Sequence, residues 1–178
     1  MNIETILAII SAFAAVIAAF VAIYQAYLSR ITTGADILMR LEDRFENVEF
    51  CEKRKKAAYA ILSITRANQG DIEDIFDFFE TVGLLVDEGV LDEKLAWSSF
   101  FYWLHGYCYF AKDFLESQRK KFPSRYEKMV LLHERLTEIE NSKKPVDESE
   151  WSEFLNEEKG TIFSPAVIIK RNADKSGI

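Results

Sequence analysis

Twenty-five consecutive residues near the start of the chain, Thr5 to Ser29, carry no charge. Eleven of them are Ile, Leu, Val or Phe, and each side chain of these types favours insertion at the centre of a membrane helix by about 0.3–0.6 kcal/mol. The run is longer than the roughly twenty residues that cross a hydrocarbon core as a helix. It therefore predicts a transmembrane helix, within an N-terminal tail and span over residues 1–30.

The residues around this run argue against a cleaved signal peptide. The preceding segment Met-Asn-Ile-Glu has no basic residue, and the run is longer than the apolar core of a signal peptide. Basic residues follow it at Arg30, Arg40 and Arg44 and in the cluster 53–56, and positive charge tends to stay in the cytoplasm. We therefore expect a single-pass protein of the bacterial inner membrane, with its N-terminus outside and its C-terminal domain cytoplasmic.

Side chains within the run are sorted by size around the helix. At about 100° per residue, the small and polar ones fall in one arc and the large apolar ones lie opposite. The arc contains Ser11, Ala15, Ala18, Ala22, Gln25 and Ser29, which are the predicted pore-lining or interface residues. Beside it lie Ala8, Ala12, Ala19 and Ala26, which alternate with Ala15 and Ala22 in steps of four and three.

Small residues let helix backbones approach closely in a membrane, and the four-and-three spacing suits near-parallel helices in a left-handed bundle. The pattern therefore predicts a homo-oligomer. In a ring, the alanine seam would contact two neighbours, while Ser11, Ala18, Gln25 and Ser29 would face a central space. The alternative is an Ala-rich anchor that only pairs, because small-residue stripes also occur in membrane helices that conduct nothing.

After the span, helical periodicity and helix caps recur and no strand pattern persists. The predicted fold is all-α: a single N-terminal transmembrane helix, a cytosolic helical bundle over residues 31–160, and a partly docked C-terminal segment over residues 161–178. The predicted helices cover 36–67 with a restart at Asn47, 72–88 between an Asp71 cap and Gly89, 92–121 after an Asp92 cap, 124–140, and 148–158.

The helix after Asp92 is the most apolar of the domain and has aromatic residues on two faces. One face forms the expected core stripe. Trp103 and Phe110 lie on the second face, so this helix is either central in the bundle or buried between subunits. Trp103 and Phe110 are therefore candidates for a cytosolic interface, and a membrane-tethered adaptor that recruits a cytosolic partner is the alternative function.

The formal net charge of −7 does not favour nucleic acid as a partner. The basic clusters 53–56 and 119–121 are interpreted as solvated helix faces, with anionic lipid headgroups as the alternative. The lipid bilayer and other copies of the chain are the expected partners.

Few residues suggest chemistry. The two histidines and two cysteines are Cys51, Cys108, His105 and His133, and their spacing is not that of a zinc site. No glycine-rich phosphate loop is present, and the acidic residues lie in helix first turns and on polar faces. We therefore predict no catalytic residue, no metal site, no cofactor and no enzyme activity.

HEPN-class RNases provide a specific comparison, because they use an Arg followed, after four to six intervening residues, by a His. Here Lys128 occupies that spacing before His133, while Arg125 is separated from it by seven positions, and His105 has no nearby upstream arginine. If the fold is HEPN-like, its active site is eroded. A divergent HEPN-type RNase is the second alternative function.

The block 78–86, Phe-Phe-Glu-Thr-Val-Gly-Leu-Leu-Val, followed by Gly-Val-Leu-Asp at 89–92, resembles an uncharacterised bacterial family with an N-terminal membrane helix and a cytosolic helical domain. In size, leading span and HEPN-like character, the chain also resembles the small membrane accessory proteins of type VI-B (Cas13b) CRISPR systems. That resemblance implies a ring-shaped homo-oligomer that opens a pore in the inner membrane, acts functionally with a CRISPR effector complex and strengthens antiphage defence.

Overall fold

The structure is a computed structural model that describes residues 2–63, 69–143, 151 and 153–160; the side chains of residues 4–12 and 31 lie outside this description. Helix α1 runs unbroken from Ile3 to Glu46 over 44 residues. In the described chain it is followed by α2 (Val48–Ser63), α3 (Gln69–Asp87), α4 (Glu93–Phe110), α5 (Lys112–Lys121), α6 (Glu127–Lys143) and α7 (Phe154–Gly160). No β-strand occurs among these residues. The predicted all-α fold, an apolar N-terminal helix followed by a helical domain, is confirmed.

Helix α1 is uncovered over its first part and packed over its last. Every described side chain between positions 13 and 30 is exposed, whereas Leu41 and Phe45 are buried in the core. The packed part begins at Gly34, where an added Cβ atom would lie 3.0 Å from the Val90 carbonyl oxygen. The predicted boundary between span and domain, at residue 30, thus falls inside one continuous helix.

Two predicted helix boundaries are confirmed by side-chain caps. Asn47 separates α1 from α2, and its side-chain oxygen accepts a hydrogen bond from the Glu49 N–H at 2.9 Å. Asp92 precedes α4, and its carboxylate accepts from the N–H groups of Lys94 and Leu95 at 2.9 and 3.1 Å. Each cap satisfies backbone donors that have no partner within the helix.

Other predicted boundaries are wrong. Helix α3 begins at Gln69, so Asp71 lies in its first turn rather than at the cap, where its charge still suits the helix dipole. Helix α6 begins after Tyr126, not at Ser124, because Tyr126 has a positive φ of 59° that is incompatible with a helix. The last short helix is α7, which begins at Phe154, and the start predicted at position 148 lies outside the described residues.

The single helix predicted over 92–121 is also wrong, because Ala111 divides it. Ala111 has φ −100° and ψ 22°, and α5 leaves α4 at this point. The bend brings Phe114 of α5 against Phe76 of α3, with ring centroids 5.7 Å apart. Tertiary packing therefore overrides a helical pattern that continues through the sequence. Positions 64–67 of the first predicted helix, 144–150, and the C-terminal segment 161–178 lie outside the described residues.

Phe45, near the end of α1, is the centre of the domain's aromatic core. Its ring centroid lies within 5.8 Å of five other rings, contributed by α2, α3 and α4: Phe50, Phe78, Phe79, Phe100 and Trp103. Aromatic pairs at such tilted and edge-to-face geometries contribute about 0.5–1.5 kcal/mol each beyond the area they bury. The long helix is thereby fixed to three other helices at one residue.

Helices α3 and α6 approach each other closely at Gly83. A Cβ atom at Gly83 of α3 would lie only 2.3 Å from the Lys128 carbonyl oxygen, which belongs to the backbone at the start of α6. Beside it, the Glu80 carboxylate accepts hydrogen bonds from the N–H groups of Lys128 and Met129 at 3.3 and 2.7 Å. The Glu80 carboxylate thus holds the α6 N-terminus against α3, and the lack of a side chain at position 83 allows the two helices to come this close.

Replacing Gly83 by Ala should therefore lower the stability of the domain. The new methyl group must push α6 away from α3, and overpacking of this kind typically costs about 1–3 kcal/mol. Gly70 provides a matched control, because an added Cβ there meets nothing within 4 Å. In thermal unfolding followed by circular dichroism, Gly83→Ala should reduce the midpoint and Gly70→Ala should leave it unchanged or slightly raised. Equal midpoints for the two variants would contradict the proposed packing.

Candidate functional site

The predicted interface residues lie on an uncovered surface of α1. The side chains of Ala15, Ala18, Ala22, Gln25 and Ser29 are exposed, as are those of the seam residues Ala19 and Ala26. The side chains of Ala8, Ser11 and Ala12 lie outside the description. The large residues opposite, such as Phe20, which is 69% exposed, are uncovered as well. The single chain therefore covers neither side of this helix.

This part of α1 has the properties of a membrane-spanning segment. Among the described residues, it is the one helix long and apolar enough to cross a membrane, and none of the apolar window is buried inside the domain. A core helix of a soluble protein would be mostly buried. Length, composition and exposure therefore agree with the predicted span.

The end of the apolar run is attached to the domain at Arg30. Its Nε–H donates a hydrogen bond to the Gly89 carbonyl oxygen at 3.0 Å, in the turn between α3 and α4. Gly89 has φ +63°, and a Cβ atom there would lie 2.7 Å from the Arg30 guanidinium. Glycine is therefore required both by the backbone conformation and by the proximity of Arg30.

Trp103 and Phe110, the candidate cytosolic interface, are partly covered by the chain itself. Trp103 packs edge-to-face on Phe45 at 5.2 Å. The ring of Phe110 lies parallel to that of Phe154 in α7, with the centroids 6.0 Å apart and an interplanar angle of 4°. Both side chains pack against the core. The structure brings them next to internal neighbours, so they do not form a free aromatic surface.

A buried ion pair that the sequence analysis missed holds α7 on α2 and α4. The Arg54 guanidinium donates two hydrogen bonds to the Glu158 carboxylate, at 2.9 and 2.6 Å, and the Tyr107 hydroxyl donates to the same carboxylate at 2.8 Å. Burial raises the pKa of the Tyr107 hydroxyl well above its usual value, and the nearby Glu158 charge adds to this effect. Both partners of the ion pair are more than nine-tenths buried.

Arg54 was interpreted above as part of a solvated basic cluster, and that interpretation is wrong for this residue. Its signal in the sequence is its spacing: Arg54 lies three and four residues from Cys51, Ala57 and Ala58, which are all buried on the same face of α2. Such an arginine is on the core side of its helix. Its neighbour Lys53, by contrast, is partly exposed and pairs with Asp74 at 2.9 Å.

The two histidines, which are 28 residues apart in the chain, meet between α4 and α6. His133 Nε2 lies 3.0 Å from His105 Nδ1, so one imidazole donates a hydrogen bond to the other. The His105 ring also packs against Trp151 in a tilted arrangement, with the ring centroids 4.7 Å apart. Burial, assisted by the neighbouring His105, lowers the pKa of His133 to about 4. Its imidazole is therefore neutral at pH 7.

An open cleft of about 660 Å³ lies beside this histidine pair. Its walls come from α4, α5 and α6, and its charged residues are Lys112, Glu116, Arg119 and Lys120. His133 and Cys108 contribute to the same lining. The cleft thus combines neutral imidazole with a net positive rim in a chain that is acidic as a whole.

Comparison with known proteins identifies the family of this chain. A family model described as a domain of unknown function (DUF4760) matches residues 9–136. The chain belongs to the DUF4760 family. Neither curated proteins nor solved structures gave a match. The DUF4760 match includes most of the apolar run and continues through α3, α4 and α5 into α6, so the exposed helix and the domain belong to one family unit.

The two cysteine thiols of this DUF4760 chain are buried in the domain. Burial raises the pKa of the Cys108 thiol to about 12, and burial also raises the pKa of the Cys51 thiol. Neither is a thiolate at neutral pH, the form that acts as a nucleophile or metal ligand. Within the described residues, no group of three or more His, Cys, Asp or Glu side chains is placed to hold a metal ion.

Acidification should destabilise the domain through His133. Its pKa in the folded state is below the value of about 6.5 in an unfolded chain, so the unfolded state binds the proton first as the pH falls. The stability due to the neutral imidazole is complete above about pH 6.5 and decreases towards pH 4, by about 2 kcal/mol between pH 7 and pH 5.

The measurement compares denaturation of the wild type, His133→Asn and the exposed control Lys94→Asn at pH 7 and pH 5. The loss of stability on acidification should be smaller in His133→Asn than in the wild type and the control. An equal loss in all three proteins would show that His133 does not cause it.

Proposed function

We propose that this DUF4760 protein is a single-pass protein of the bacterial inner membrane whose copies associate through the small-residue side of α1 into a pore-like homo-oligomer. The observation that carries the proposal is the exposure of every described side chain from position 13 to 30 in a chain whose other helices bury their apolar sides. Soluble monomers rarely leave apolar surfaces of this extent uncovered. Lipid and other copies of α1 are the partners that suit it.

The two sides of α1 favour different partners. Large residues such as Phe13, Ile17 and Phe20 are more than 60% exposed and lose nothing by contacting acyl chains. Helices in a membrane associate instead through small residues and polar side chains. On this side of α1 the small residues are Ala15, Ala18 and Ala22, and the polar side chains are Gln25 and Ser29. A ring that places these polar groups around a central space would permeabilise or depolarise the membrane.

The biological role in the proposal comes from resemblance. The accessory proteins of type VI-B CRISPR systems share the leading span and the size of the cytosolic domain, so we assign this protein to antiphage defence as an accessory to Cas13b immunity. The proposed topology places the N-terminus outside and the domain in the cytoplasm, where an effector complex is accessible. The adaptor alternative is less favoured, because Trp103 and Phe110 are partly covered within the chain.

Replacing Ala15, Ala18 and Ala22 together by Leu tests the proposal. The larger side chains should separate the helices, lower the mass of the detergent-purified particle and reduce dye leakage from liposomes. The matched control replaces Val16, Phe20 and Ile23, on the opposite side of the helix, by Leu, and should keep both mass and leakage.

Mass photometry and a dye-release assay on the same preparations provide the two readouts. A wild-type particle with the mass of one chain would exclude the assembly. A dimer without leakage would instead favour a simple anchor or an adaptor.

A divergent HEPN-type RNase is the second candidate, and the His105–His133 contact beside a basic cleft is the observation that favours it. A neutral imidazole can act as a general base, and Lys112, Arg119 and Lys120 could contact phosphates. Purified protein should then cleave single-stranded RNA, and His133→Ala should abolish the cleavage while Lys94→Ala keeps it. No cleavage by the wild type would remove this candidate.

A further inference from the structure

The four-and-three spacing of the alanine seam continues beyond the membrane segment. After Ala26 the same steps pass Ser29 and reach Thr33, Asp36, Arg40 and Asp43, all within α1, and we call these four residues the cytosolic seam. All four side chains are exposed. A heptad repeat of this length on one helix is the geometry of a contact between near-parallel helices. The register of the predicted membrane interface is thus kept to the last turn of α1.

The domain occupies the other side of the same helix. Gly34, Ile37, Leu38, Leu41 and Phe45 of α1 pack on the domain, and their centre lies about 140° around the helix from the cytosolic seam at about 100° per residue. A domain of 100 residues has a radius of gyration of about 13 Å, whereas packed helices are about 8–10 Å apart. Copies of α1 can therefore meet along the seam only because each domain lies on the far side.

The charges on the cytosolic seam complement one another. Arg40 has an aspartate on each side, Asp36 one turn before it and Asp43 one turn after it. None of these three side chains forms an ion pair with another described residue of its own chain. The hydroxyl of Thr33 donates to the Ser29 carbonyl oxygen of the same helix at 2.8 Å, so it needs no partner at a close contact.

We propose that the cytosolic seam binds a second copy of this chain, with Arg40 of one α1 helix pairing with Asp36 or Asp43 of its neighbour. This inference rests on the proposed self-association and extends the contact from the membrane into the cytoplasm. The guanidinium group suits the pairing, because it can bind a carboxylate through two parallel hydrogen bonds.

Charge reversal tests the pairing. Arg40→Glu makes the seam wholly acidic, and Asp36→Arg with Asp43→Arg makes it wholly basic. Each variant alone should reduce the fraction of oligomer in detergent at least tenfold, because like charges then face each other. Co-expression of the two variants with different affinity tags should restore particles that contain both chains. Lys94→Glu, an exposed charge reversal outside the cytosolic seam, is the control and should leave the oligomer intact.

The outcomes separate this inference from the proposed function. If Arg40→Glu keeps the wild-type mass while the Leu replacements at positions 15, 18 and 22 reduce it, the cytosolic pairing is wrong and the membrane contact stands. If the co-expressed variants fail to assemble together, the pairing is also wrong. If the wild type is a single chain in lipid nanodiscs, both proposals fail.

Discussion

The structure depends on one helix that serves two environments. The first part of α1 is an apolar rod whose described side chains, from position 13 to 29, are exposed, and its last turns pack into the domain core. Phe45 lies at the centre of that core and contacts rings from three other helices. Because a continuous helix transmits both direction and rotation, the packing of Phe45 also determines which side of the rod faces away from the domain.

Helix α4 is central to the domain, as one of the two interpretations of its aromatic pattern predicts. Residues 104–108 are all buried, and they separate a buried polar cluster from a partly buried one. On one side Tyr107 meets Arg54 and Glu158, and on the other His105 meets His133. Removing one member of a buried ion pair typically costs about 3–5 kcal/mol, so Arg54 and Glu158 tie α7 firmly to the bundle even though few residues of that short helix are involved.

Sequence patterns revealed the features that depend on neighbouring residues. The apolar run, the Asn47 restart and the Asp92 cap are all encoded within a few positions, and the structure has them. The bend at Ala111 brings Phe114 against Phe76 of α3, a contact between helices for which the local sequence has no signal. The Arg54–Glu158 contact joins residues 104 positions apart. Only the spacing of Arg54 relative to buried Cys51 and Ala58 could have indicated that it faces the core.

The rotation of α1 relative to the domain discriminates between the two ways in which copies of this rod could pack. Packing through the large residues, such as Val16 and Phe20, would turn the domain sides of neighbouring helices towards each other, and two folded domains would have to occupy the same space. Packing through Ala15, Ala22 and Ser29 places the domains outside the contact. The side of the helix that is chemically suited to close packing in lipid is thus also the side on which the folded domain leaves room for it.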